Sequence, residues 1–184
     1  METLVKESQR KYLHHWLMYE CTKEYETIYL KNQTEPKPGR CSNVGVKTPE
    51  WDLPQRYCNK ITFGWAVGGE LINDIPPKLG YPLGGSEDET KFFFLEMHYE
   101  NPYGDLDVKD SSGMRLYATK EYREIEMGIY SAGAAPNSYA MALPPNIDRV
   151  NVEYLCTQND VNRLLGSNEN VTIFAQLPHT HLAG

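Results

Sequence analysis

The chain lacks any apolar run near the roughly 20 residues a bilayer-spanning helix needs, so no membrane span is expected. It also lacks a basic stripe. Lys and Arg number 18 against 25 Asp and Glu, giving a net charge of −7. Nucleic-acid surfaces are built from clustered cations, so no nucleic-acid partner is expected. No apolar segment follows Met1, so no signal peptide is visible. None of the four cysteines forms a Cys-x-x-Cys pair. Gly68-Gly69 and Gly84-Gly85-Ser86 have no P-loop lysine and helix behind them and read as turns. Glu87-Asp88-Glu89 reads as a solvated loop. Helical periodicity is scarce, with only Asp160–Leu165 suited to a helical turn. No internal repeat occurs.

What is present is short, strand-like and punctuated. Tyr12–Cys21, Ile61–Val67, Lys91–Tyr99, Met114–Thr119, Arg123–Tyr130, Val150–Tyr154 and Val171–Leu177 are rich in β-branched and aromatic residues. Between them lie Glu35-Pro-Lys-Pro-Gly39, Pro76-Pro77, Asn101-Pro102, Ser111-Ser-Gly113 and Pro144-Pro145. This pattern predicts an all-β chain of antiparallel sandwich type. A polar, turn-rich link at Asn101–Asp110 places a domain boundary there, dividing the chain into 1–104 and 105–184. The sequons Asn32-Gln-Thr34 and Asn170-Val-Thr172 suit the secretory route. With no visible leader, the chain is expected to be a piece of a longer protein.

Histidine is scarce, and its five copies fall in three clusters: His14-His15, His98 and His179-Thr-His181. Neutral imidazole is a common transition-metal ligand. In a strand, His179 and His181 share one face, roughly 7 Å apart along the backbone. An isolated His-x-His is nonetheless more often a chance placement in a polar turn. His14 and His15 are adjacent, so a regular strand points them to opposite faces. Aiming both at one ion requires a bulge or a strand end. Alone, such a pair is more often one buried and one exposed histidine. His98, in Phe92-Phe-Phe-Leu-Glu-Met-His-Tyr99, alone suggests a hydrogen-bonded core residue. Met97 and Met114 could offer thioethers, but core filling is their ordinary role. Together, three imidazoles form a full set for copper or zinc, and two more form a set lacking a ligand.

The ordered strings YLHHWLMYEC, YCNKITFGWAVGG, FFFLEMHYENP, DSSGMRLY, ALPPN and IFAQLPHTHLAG contain every histidine. In these the chain resembles the copper type II, ascorbate-dependent monooxygenases over nearly its whole length. It is most similar to the branch of dopamine β-hydroxylases, tyramine β-hydroxylases and dopamine-hydroxylase-like monooxygenases. The resemblance implies two jelly-roll β-sandwich domains, each holding copper and both incomplete here. It implies that His14, His15 and His98 form an electron-transfer copper site. His179 and His181 would supply two ligands of the oxygen-activating copper, whose third ligand in the family is a methionine further along. The implied reaction uses ascorbate and O₂ to hydroxylate a C–H bond of a small organic substrate in the secretory lumen or outside the cell. The resemblance pairs Cys21 with Cys58 and leaves Cys41 and Cys156 to cysteines elsewhere. By spacing alone, Cys41 with Cys58 is an alternative.

Three departures stand out. Ser131 occupies the position of a glutamate carried by the amine-hydroxylating relatives. Leu177 stands where the peptide-amidating branch has an arginine for a substrate carboxylate. Asp160 replaces the second cysteine of a family Cys-x-x-x-Cys beginning at Cys156. These leave a second expectation, a non-catalytic secreted copper-binding or interaction module. A third is a structural zinc site at His14, His15 and His98.

Overall fold

The computed structural model describes residues 1–28, 56–70, 74–84, 92–133, 143–166 and 170–178. Their regular elements are β1 (Glu2–Leu4), β2 (Leu13–Cys21), α1 (Lys23–Ile28), β3 (Cys58–Ala66), β4 (Leu79–Gly80), β5 (Phe93–Tyr99), β6 (Gly113–Arg115), β7 (Ile125–Glu126) and α2 (Gln158–Leu165). The fold is all-β as expected. The chain separates into two compact units, Met1–Tyr130 and Ser131–Gly184.

The first unit is organised around β2. This strand sits centrally in the order β3-β2-β5 and pairs antiparallel with both neighbours. It carries Leu, Trp, Met and Tyr, which fit a pleated, half-buried surface. Leu13, Trp16, Met18 and Trp65 form the buried core. Trp16 and Trp65 are direct cross-strand partners. Met1, Val5 and Met114, which lie in or beside the antiparallel β1–β6 pair, pack against this core from their own sheet. Two sheets thus share one apolar interior, the layered solution open to strands with one apolar face. The short β4–β7 pair is parallel.

At the far end of β2, Cys21 and Cys58 face each other in register and are joined by a disulfide. Both are buried beside Tyr25, with Tyr19, Tyr57, Phe92 and Phe94 around them. The bridge closes a sequence separation of 37. Loop-closure entropy gives such a bridge about 4 kcal/mol. The C21A/C58A double variant should lose about that much in urea denaturation. A loss under about 1 kcal/mol would mean that neighbouring packing already restricts the unfolded chain. Cys156 is an exposed free thiol, and Cys41 lies outside the described residues.

The second unit departs from the strand expectation. Val150–Tyr154 and Val171–Leu177 have no strand pairing among the described residues. Alternating β-branched residues form strands when a ladder partner and a covered face are available. Here Leu155, Ile173 and Leu177 are 87%, 79% and 68% exposed. In the first unit, Arg123–Tyr130 contracts to Ile125–Glu126 and Met114–Thr119 to Gly113–Arg115. The helical expectation at Asp160–Leu165 is met by α2. Thr157 caps its N-terminus, and Asp160 returns the bond to the Thr157 N–H, a reciprocal capping box. Asn170 is exposed, as a glycan acceptor must be. Asn32 lies outside the described residues.

Candidate metal centre

The histidine cluster is a consequence of strand irregularity. Along the β2–β5 pair, Leu13 faces Tyr99 and His15 faces His98, so His14 is an extra residue on β2. This is a β-bulge, which leaves one residue unpaired and re-aims its side chain. It also explains the spacing of the core, where buried Leu13 and Trp16 are three apart rather than two. Between them His14 and His15 are both only partly buried. The geometric obstacle to using an adjacent pair is removed by the bulge. His98 arrives from the facing strand and is exposed, not a core residue.

The three rings meet edge to face. Centroids lie 5.1 Å apart for His14–His15, 5.5 Å for His14–His98 and 4.5 Å for His15–His98. His14 Nδ1 is 2.8 Å from His15 Nδ1, and His98 Nδ1 is 3.3 Å from His15 Nε2. One nitrogen from each ring can be chosen so that all three lie within 4.8 Å of one another. Nitrogens about 2.0 Å from a shared ion are at most about 4 Å apart. The rings therefore need to draw in by under about 1 Å to close on one ion. At right angles about such an ion, two donors are about 2.8 Å apart, which matches the His14–His15 pair. His15 offers one nitrogen to each neighbour, and an ion takes only one of them. Three imidazoles fit copper and also suit zinc.

Polar residues that the sequence reading did not single out surround the cluster. Glu100 Oε1 lies 3.8 Å from His14 Nε2. Tyr12, two residues before His14, donates its hydroxyl to Asp105 Oδ2 at 2.6 Å, and Lys11 Nζ reaches the same oxygen at 2.9 Å. The Tyr12 hydroxyl and then Lys11 hold Asp105 below the usual carboxylate range. Lys11 is held more basic by Tyr12 and Asp105. Tyr99, beside His98, donates to Asp110 Oδ2 at 2.8 Å. Partial burial and this bond push Tyr99 up to about 12. Burial alone would raise Asp110. Hydrogen bonds from Ser112 and Tyr99 outweigh it, and the net shift is downward. The pairing of Lys11 and Tyr12 with Asp105 has no sequence signal, because the partners are far apart in the chain. Tyr12 and Asp105, for example, are 93 positions apart.

His179 and His181 lie outside the described residues. Pro178 and Leu177 before them are exposed and unpaired in any described sheet. Ser131 is exposed as well.

A family model described as copper type II ascorbate-dependent monooxygenase, N-terminal domain, matches residues 1–105. The human DBH-like monooxygenase protein 1 is 28% identical over 188 residues, covering all of this chain and 28% of that protein. Dopamine beta-hydroxylase of Rattus norvegicus is 31% identical over 186 residues, again covering the whole chain and 27% of the relative. The Bos taurus enzyme of the same name is 32% identical over 185 residues, covering the whole chain and 28% of the relative. The chain thus spans somewhat over a quarter of these relatives. No solved structure matches. His14, His15 and His98 all fall inside the matched span, which covers more than half of the sequence. By that match the chain belongs to the copper type II ascorbate-dependent monooxygenases.

Proposed function

We propose that this chain is part of a secreted copper monooxygenase that uses O₂ and ascorbate to hydroxylate a C–H bond of a small organic substrate. The observation that carries the reading is the bulge-built cluster of His14, His15 and His98 within the family span. In this reading these three side chains hold the electron-transfer copper. His179 and His181 supply two ligands of a second copper, where O₂ chemistry takes place. The family resemblance assigns residues 1–104 to the first copper domain and 105–184 to the second, while the compact units divide at Tyr130 and Ser131.

Bound copper supplies one-electron exchange and O₂ activation that side chains alone cannot provide. The protein's part is to hold the donors and control access. Imidazole is neutral, so three of them stabilise the ion without fixing one oxidation state, as an electron-transfer site requires. His98 is exposed and His14 partly so, which leaves the cluster open to a water-soluble reductant such as ascorbate. Ser131 in place of a family glutamate removes an anion for a cationic amine. Leu177 in place of an arginine removes a cation for a peptide carboxylate. Both changes favour a neutral small substrate. The disulfide and the exposed sequon at Asn170 support a secretory location.

The test is metal analysis joined to turnover. Protein produced in a copper-replete secretory host should bind copper in a form that His98→Ala diminishes. It should also consume O₂ with ascorbate when a neutral hydroxylatable substrate is supplied. Full copper loading with no O₂ uptake across a broad panel favours the binding-module alternative. Zinc in place of copper at this site overturns the reading.

A further inference from the structure

The geometry points to Asp105 and Asp110 as positioning residues for the three-histidine centre, acting through a strap, Asn101–Ser112, that fixes the bulge. The inference rests on the copper reading above.

The cluster exists only in one register. Leu13 must face Tyr99 and His15 must face His98, with His14 left over. A slip of one residue in a strand turns every side chain to the other face. The histidines add little packing to hold that register, because His14 and His15 are only partly buried and His98 is exposed. The bonds around them hold it. Glu100 N donates to Tyr12 O at 2.7 Å, continuing the ladder past the bulge. Tyr12 precedes Leu13 on β2, and its hydroxyl is held by Asp105. Tyr99 is Leu13's partner on β5, and its hydroxyl is held by Asp110. Both strands at the bulge are therefore tied by a tyrosine hydroxyl to one connecting segment.

That segment is itself closed. Asn101 Nδ2 donates to Asp105 O at 2.9 Å, and Asp105 N donates to Asn101 Oδ1 at 3.0 Å. Gly104 turns between them at φ +65°, which suits glycine. Ser112 fixes Asp110 from below with its N–H at 2.9 Å and its hydroxyl at 2.7 Å. Ion pairs and hydrogen bonds of this kind, exposed or only partly buried, add modestly to global stability. A metal centre is more sensitive to them, because the strand register that the two tyrosines hold sets where the three rings lie. A partner bonded directly to a ligand is worth about 10–100-fold in metal affinity, and Asp105 and Asp110, which reach the ligands only through Tyr12 and Tyr99, fall at the lower end of that range. Placement thus favours a geometric role over a stabilising one.

The experiment uses the intact protein loaded with Cu(II). Copper affinity is read by chelator competition, the site geometry by electron paramagnetic resonance, and stability by urea denaturation. His98→Ala marks the signal belonging to this centre. Asp105→Ala, Asp110→Ala and Tyr12→Phe should each weaken that copper by about 10-fold and alter its hyperfine splitting. Their urea midpoints should stay near the parent's. Asp105→Asn, which keeps an oxygen for Tyr12, should recover most of the affinity lost in Asp105→Ala. Should Asp105→Ala fail to fold, Tyr12→Phe removes one hydroxyl and reads the same contact. Parent-like affinity and spectra in the folded variants overturn the proposal. So does a loss of affinity that merely follows each variant's loss of stability. If His98→Ala removes no copper, the copper reading fails and takes this inference with it.

Discussion

Replacing His15 by alanine should abolish copper binding at the three-histidine centre while leaving the first unit folded. His15 is the ring that both others approach, through Nδ1 toward His14 and Nε2 toward His98. Removing it takes away one of three donors and leaves only His14 and His98, whose ring centroids are 5.5 Å apart. Residues behind a ligand are worth about 10–100-fold in metal affinity, so loss of a ligand should exceed about 100-fold. The fold should survive, because His15 is only partly buried and contributes nothing to the buried core. Substitutions away from packed features usually cost within about 0.5 kcal/mol. His15→Ala should therefore separate metal binding from stability. Metal content by mass spectrometry and a urea midpoint measure the two independently. Retention of the same copper by His15→Ala would place the metal elsewhere.

How much of this was legible in the sequence differs by residue. The strands that build the centre were, because Leu13–Cys21 and Phe93–Tyr99 are dense in aromatic and branched residues with ladder partners to use. The need for a bulge or a strand end at His14-His15 followed from strand period alone, and the register shift between Leu13 and His15 supplies the bulge. Which strand faces His15 did not follow, since pairing is non-local and periodicity carries no partner information. The same reason hides Tyr12, Glu100 and Asp105. Their roles depend on a turn that brings Asp105 back to Lys11 and Tyr12. Val150–Tyr154 and Val171–Leu177 show the reverse error. Their composition satisfies the strand rule, yet their apolar side chains are exposed and no ladder forms among the described residues. Propensity states what a segment can do once a surface is offered to it.

Trp16→Ala should be the most destabilising single substitution in the first unit, at about 3–5 kcal/mol. Trp16 has no exposed surface, faces Trp65 on β3 and Met97 on β5, and stands directly after His15. Its removal opens a cavity on the central strand, where neither neighbour can collapse without breaking register. Trp16→Phe should cost much less than the alanine change. Phenylalanine keeps most of the apolar volume, and it removes an indole N–H that has no partner among the described residues. A buried unsatisfied donor costs about 1–3 kcal/mol, so deleting it offsets part of the lost packing. The pair of variants also asks whether core and centre are coupled. Trp16 fixes the inward face of the bulge that turns His14 and His15 outward, so a void there should loosen both rings. Under conditions where Trp16→Ala remains folded, its copper affinity should fall below that of Trp16→Phe. Equal affinities in the two folded variants would mean that the register is held from the solvent side alone, by the bonds of Tyr12 and Tyr99.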